Sequence, residues 1–119
     1  MFEAQLLKVG STVYSPWFPR GGCSIAATLD VIEIAGDDTE IRVDVYTKAS
    51  LDAGAGTYAD AGTYITRSGI DGPGRTSETW PGKTFNLVRY KFSVSNSQEE
   101  SGWVLFRMLL PQWFDSVKA

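Results

Sequence analysis

The chain has 119 residues, a formal net charge of −3, and 43% hydrophobic against 21% charged residues. Those figures describe one globular domain that can bury a core without metals or disulfides, and they exclude a disordered chain. With one cysteine and no histidine, no intrachain disulfide, ordinary zinc site, Ser-His-Asp triad or Cys-His pair can be built.

Residues 4–9 and 11–14 are short strand candidates separated by Gly10. Residues 15–22, Ser-Pro-Trp-Phe-Pro-Arg-Gly-Gly, hold two prolines and two glycines. That composition forbids a helix and predicts an extended, ring-bearing loop. Cys23 follows and reads as a small buried hydrophobe. Residues 25–34 form the first long strand, with Ile25, Ala27, Leu29 and Val31 on one face by the period-two rule. Ile32 and Ile34 fall on the opposite parity, which predicts a bulge near Val31-Ile32 or burial on both faces. Residues 35–39 have turn chemistry. Residues 40–49 are the clearest strand, with Ile41, Val43 and Val45 inward and Arg42, Asp44, Tyr46 and Lys48 outward. The two long strands read together as a hairpin.

Residues 50–62 change character and are rich in Ala, Gly, Asp and Thr. Ala55-Gly56-Thr57-Tyr58 and Ala61-Gly62-Thr63-Tyr64 are alike but too short for a solenoid repeat. Residues 63–67 suit a short strand. Residues 68–83, with Asp71-Gly72-Pro73-Gly74 and Trp80-Pro81-Gly82, read as a second long loop. Residues 84–95 are strand again, with Val88, Tyr90, Phe92 and Val94 inward and Leu87, Arg89, Lys91 and Ser93 outward. After a polar turn at 96–102, residues 103–110 are apolar on both parities, with Arg107 the only charge. Such a strand is buried on both faces or meets another molecule. Pro111 stops it, and residues 112–119 read as a tail beginning Gln112-Trp113-Phe114.

No window shows sustained 3.6 periodicity. Seven or eight strands at this spacing predict an all-β fold, a single antiparallel, jelly-roll-like β-sandwich over residues 1–119. Its expected core is Leu29, Val31, Ile41, Val43, Val45, Val88, Tyr90, Phe92 and Val94.

No phosphate-cradling glycine motif opens a helix, so no nucleotide or other cofactor is expected. Asp30, Glu33, Asp44 and Glu78 read as solvated surface rather than a glycosidase pair. Turn chemistry accounts for Asp37-Asp38, Asp52, Asp60 and Asp71 without calcium, so no metal is expected. The cations are scattered among acids, which argues against nucleic acid as a partner. Met1-Phe2-Glu3 has neither a basic n-region nor an apolar h-region, and no stretch is long enough to cross a bilayer. The expectation is a chain made in a reducing cytoplasm and not held in a membrane.

What stands out is the supply of rings outside the expected strands: Trp17, Phe18, Tyr58, Tyr64, Trp80, Trp113 and Phe114, with Arg20 beside the first pair. Large rings either plug the open ends of a sandwich or dock into a partner, and aromatics with Arg dominate interface hot spots. These residues are the candidate partner-binding set, with residues 17–20 and Trp113-Phe114 foremost.

The short, cysteine-poor chain has Gly/Ala/Thr-rich loops between strong strands such as 41–45, 88–94 and 103–110, and it lacks catalytic residues. It resembles the small all-β accessory proteins of tailed-bacteriophage virions: head decoration or cement proteins and related head or tail components. The likeness is general in style and runs over the whole chain. It implies a non-enzymatic structural role in the virion, binding a major capsid or other virion protein and copies of itself. The rival reading is a carbohydrate-binding sandwich module that stacks Trp17, Tyr58, Tyr64 and Trp80 on a glycan.

Overall fold

A computed structural model describes residues 3–51, 54–82, 84–97 and 101–114. The strands are β1 (Gln5–Lys8), β2 (Thr12–Tyr14), β3 (Phe18–Pro19), β4 (Ser24–Ala35), β5 (Glu40–Lys48), β6 (Thr57–Tyr58), β7 (Ile65–Ser68), β8 (Gly74–Trp80), β9 (Leu87–Ser95), β10 (Trp103–Met108) and β11 (Gln112–Phe114). No helix occurs among the described residues. The strands form two antiparallel sheets whose inner faces share one core, a β-sandwich.

The register reduces these pieces to eight strand positions. In the first sheet β8 pairs with β4 over Ile25–Val31, while β10 and β11 both pair with β4 across overlapping residues. β10 and β11 therefore share the edge of β4 opposite β8 and act as one strand broken at Pro111. In the second sheet β9 pairs with β5 along its whole length, so β2 and β3 share the other edge of β9. By the same reasoning β6 and β7 share the outer edge of β5. The first position pairs with the eighth, the second with the seventh, the third with the sixth and the fourth with the fifth.

The period-two pattern sets the core. Every residue expected there is buried, and Ile25, Ala27, Ile65, Trp80, Val104, Phe106 and Met108 join them. The parity shift in the first long strand is a bulge. Val31 pairs with Phe106, Glu33 with Leu105, and Ile32 is the extra residue, left exposed.

Four expectations are corrected. β4 and β5 are not a hairpin: they lie in opposite sheets, because both edges of β4 are already occupied by β10, β11 and β8. The Gly36–Thr39 turn is thus a corner between sheets. The second long loop contains β8, an edge strand of mostly polar residues with no apolar alternation to announce it. Gln112–Phe114 is not a free tail but β11, paired with Ala26, Ile25 and Ser24. Cys23 is half-buried rather than buried, its thiol 3.6 Å from the Phe114 carbonyl oxygen.

β10 buries Val104, Phe106 and Met108 and leaves Trp103, Leu105 and Arg107 partly exposed on the outer face. There Arg107 and Arg75 flank Asp30 in one cross-strand row, at 2.9 and 3.8 Å. Asp30 is thus paired within the molecule from both sides.

Candidate partner-binding face

The outward parity of the second sheet is unlike that of the first. Tyr14 on β2 pairs with Lys91 on β9, and Lys91 with Asp44 on β5. In the next row Arg89 pairs with Tyr46, and Tyr46 with Tyr58 on β6. Antiparallel register thus sets rings beside cations across four strands. The Arg89 guanidinium carbon stands 4.2 Å from the Tyr14 ring centroid and 4.4 Å from that of Trp17. Tyr14 meets Tyr46 edge-on at 5.8 Å, and Tyr46 meets Tyr58 at 4.6 Å. Lys91 lies 5.8 Å from both of the last two rings. On the far side Arg42 sits 3.9 Å over Tyr64.

Hydrogen bonds fix this array. Arg42 Nε donates to Asp44 Oδ2 at 3.1 Å and Arg42 Nη2 to Asp44 Oδ1 at 3.2 Å. Asp44 is buried beneath them, and its hydrogen bond raises Arg42 above the ordinary arginine value. The Tyr46 hydroxyl donates toward Tyr58; that bond, reinforced by Lys91 at 3.5 Å, holds the Tyr58 phenol below its usual range. Partial desolvation and the same bond push Tyr46 up. For Lys91 partial desolvation pulls down, but the Tyr58 bond and the nearby Tyr46 and Tyr14 hydroxyls outweigh it and leave the ammonium raised. Arg42 and Lys91 are therefore held charged.

Trp17 serves the face from beneath. Lys48 lies 4.4 Å from its ring and donates to the carbonyls of Leu51 and Gly54 at 3.2 and 2.9 Å. Gly56, at φ +81°, brings its backbone against the same ring, and a Cβ there would stand 2.8 Å from Trp17 Cη2. This pins the connection after β5 to the sheet.

The candidate residues named from sequence divide into three places. Trp17, Tyr58 and Tyr64 belong to this face. Trp80 does not face outward: it is fully buried, with its indole N–H donating to the Thr63 carbonyl at 2.9 Å. Its place in β8, paired with Ile25, turns it inward, so its expected partner contact is corrected to a core plug. Phe18, Arg20, Trp113 and Phe114 gather at one end of the sandwich. Phe18 packs on Tyr90 and Trp113, at 5.5 and 6.4 Å, and plugs the core with Trp113. Arg20 caps the Thr84 carbonyl at 2.9 Å, and Phe114 is exposed.

Tyr14, Arg42, Tyr46, Arg89 and Lys91 were not among the candidates. For all but Tyr14, which ends the short β2, the signal lay in the outward parity of two strong strands, where rings and cations replace the plain polar residues of a solvated face. Among the described residues no group of three or more His, Cys, Asp or Glu could hold a metal ion. The chain matches no family model, and no curated protein or solved structure is significantly similar to it.

Proposed function

We propose that this protein is a non-enzymatic structural subunit that docks on a larger protein assembly through the outward face of its second sheet. More narrowly, we read it as a decoration or cement subunit of a tailed-phage virion, contacting a major capsid protein and neighbouring copies. The observation that carries the reading is the make-up of that face. Tyr14, Tyr46, Tyr58, Tyr64 and Trp17 are interleaved with Arg42, Arg89 and Lys91 where only solvent would otherwise be met. Tyr, Trp and Arg are the residues enriched at interface hot spots.

The strand pairing supports the architectural half. Pairing first with eighth, second with seventh, third with sixth and fourth with fifth is the wrapping expected of a jelly roll, a fold used by viral capsid and lectin domains. The absence of histidine from the sequence supports a non-catalytic role. So do the linings of two surface clefts of about 330 and 350 Å³. One is formed by Arg20, Gly21, Gly22 and Cys23, the other by Val9, Gly10, Ser95 and Asn96, with no carboxylate among the described lining residues of either. The rings favour the structural reading over the glycan one. Trp80 is buried and Trp17 is covered by Lys48 and Arg89, which leaves a sugar only Tyr58 and Tyr64 of its four expected platforms.

Co-sedimentation of the purified chain with virions from its own source tests this. Saturable binding is expected, weakened about tenfold or more by Tyr14→Ala with Tyr58→Ala at unchanged melting temperature. Failure to bind particles, together with retention on a glycan array, would overturn it.

A further inference from the structure

We propose that the ring–cation face of one copy receives the acidic tip of a second copy. The proposal rests on the reading of that face as a docking surface and names its occupant.

The tip is built where the β4–β5 corner meets the β7–β8 loop. The Gly69 N–H donates to the Thr39 carbonyl at 2.9 Å, and a Cβ on Gly69 would overlap the Gly36 carbonyl. Thr39 is buried beneath the corner. Arg67 stiffens the loop behind it, donating to the Gly72 and Pro73 carbonyls and to Thr76 Oγ1. On this rigid support Asp37 and Asp38 are exposed, and Ile70 projects with 79% of its surface free.

Charge selects the match. Three ion pairs occur among the described residues, and they join Arg42 to Asp44 and both Arg75 and Arg107 to Asp30. Asp37 and Asp38 on the tip, and Arg89 and Lys91 on the face, belong to none of them. An apolar prong beside two carboxylates complements rings set beside two cations, which is the pattern that steers and registers an interface. The tip cannot reach the Tyr46 and Arg89 row of its own face. β5 starts at the tip with Glu40, and Tyr46 lies six residues along it, about 20 Å away at strand rise. The contact therefore joins two copies through unlike patches, either reciprocally in a two-fold dimer or in sequence round a ring or along an open row. Repeated on a particle, weak contacts of this kind add by avidity.

Sedimentation velocity on the purified full chain tests it. In low salt the average mass should rise with concentration, and it should fall to the monomer at about 0.5 M salt, where screening is strong. Asp37→Lys with Asp38→Lys should be monomeric, and so should Lys91→Glu. An equimolar mixture of the two should associate again, because the unaltered tip of the Lys91→Glu variant meets the unaltered face of the tip variant. Ile70→Ser, with every charge intact, should weaken association by about tenfold. Wild type that stays monomeric at all concentrations in low salt would overturn the proposal, and so would a tip variant that associates like wild type. If Lys91→Glu fails to fold, the tip variant alone decides. A monomeric wild type that still binds particles removes the tip contact and leaves the docking face standing. Self-association without particle binding removes the virion reading instead.

Discussion

Tyr90 carries a hydroxyl into the centre of the core. The side chain is fully buried, its oxygen has no hydrogen-bond partner among the described residues, and burial pushes the phenol far above its usual range. Leaving a buried polar group unsatisfied costs about 1–3 kcal/mol. Tyr90→Phe should therefore raise stability by about 1 kcal/mol, read as a higher urea midpoint; a lower midpoint would mean that the hydroxyl has found a partner. Trp80 behaves in the opposite way, since its N–H is satisfied by Thr63. Trp80→Ala should cost about 3–5 kcal/mol and leave the chain largely unfolded. Asp71 gives a pH signature. The Ser68 N–H and hydroxyl both donate to it and hold its carboxyl below the ordinary 3.8. A depressed carboxylate contributes stability above its unfolded value and loses it as pH falls through the lower folded one. The Ser68 amide should shift with a midpoint below pH 3.8, as followed by NMR, and Asp71→Asn should abolish that step. The inward direction of Tyr90 was legible from strand parity. That of Trp80 was not, because a ring beside Pro81-Gly82 looks like a loop residue until β8 is seen to pair with β4.

At the scale of elements, the close approach of two loops is the feature most open to test. Gly69 has no room for a side chain against Gly36, whereas a Cβ on Gly62 would come no nearer than 3.7 Å to its surroundings. Gly69→Ala should cost about 1–3 kcal/mol by overpacking, while Gly62→Ala should be neutral or slightly stabilising; comparable melting temperatures for the two would refute that packing. The bulge at Ile32 could be read in advance, because an extra residue must switch the apolar parity from Val31 to Ile34. The partner of each strand could not. The same turn residues serve a hairpin and a corner between sheets, and what separates β4 from β5 is the prior claim of β8, β10 and β11 on both edges of β4. Those claims come from residues about 50 to 90 positions away, beyond the reach of local pattern.

For the whole molecule, the two outer faces differ in how their charge is settled. The first sheet places Asp30 between Arg107 and Arg75. The second keeps Arg89 and Lys91 outside any ion pair among the described residues and sets them among rings. Most of this face was not legible from rings in loops, because Tyr14, Arg42, Tyr46, Arg89 and Lys91 stand on regular strands. Hydroxyl-radical footprinting, comparing the free chain with the chain bound to virions, tests the docking face most directly. In the free chain Tyr14, Tyr58 and Tyr64, each about 40% exposed, should be reactive and Trp80 silent. On the particle Tyr14, Tyr58 and Tyr64 should be strongly protected, with Phe114, on β11 of the first sheet, still reactive. Unchanged reactivity of the three tyrosines in chain that is demonstrably bound, with protection moved to Phe114 and Leu110, would contradict it.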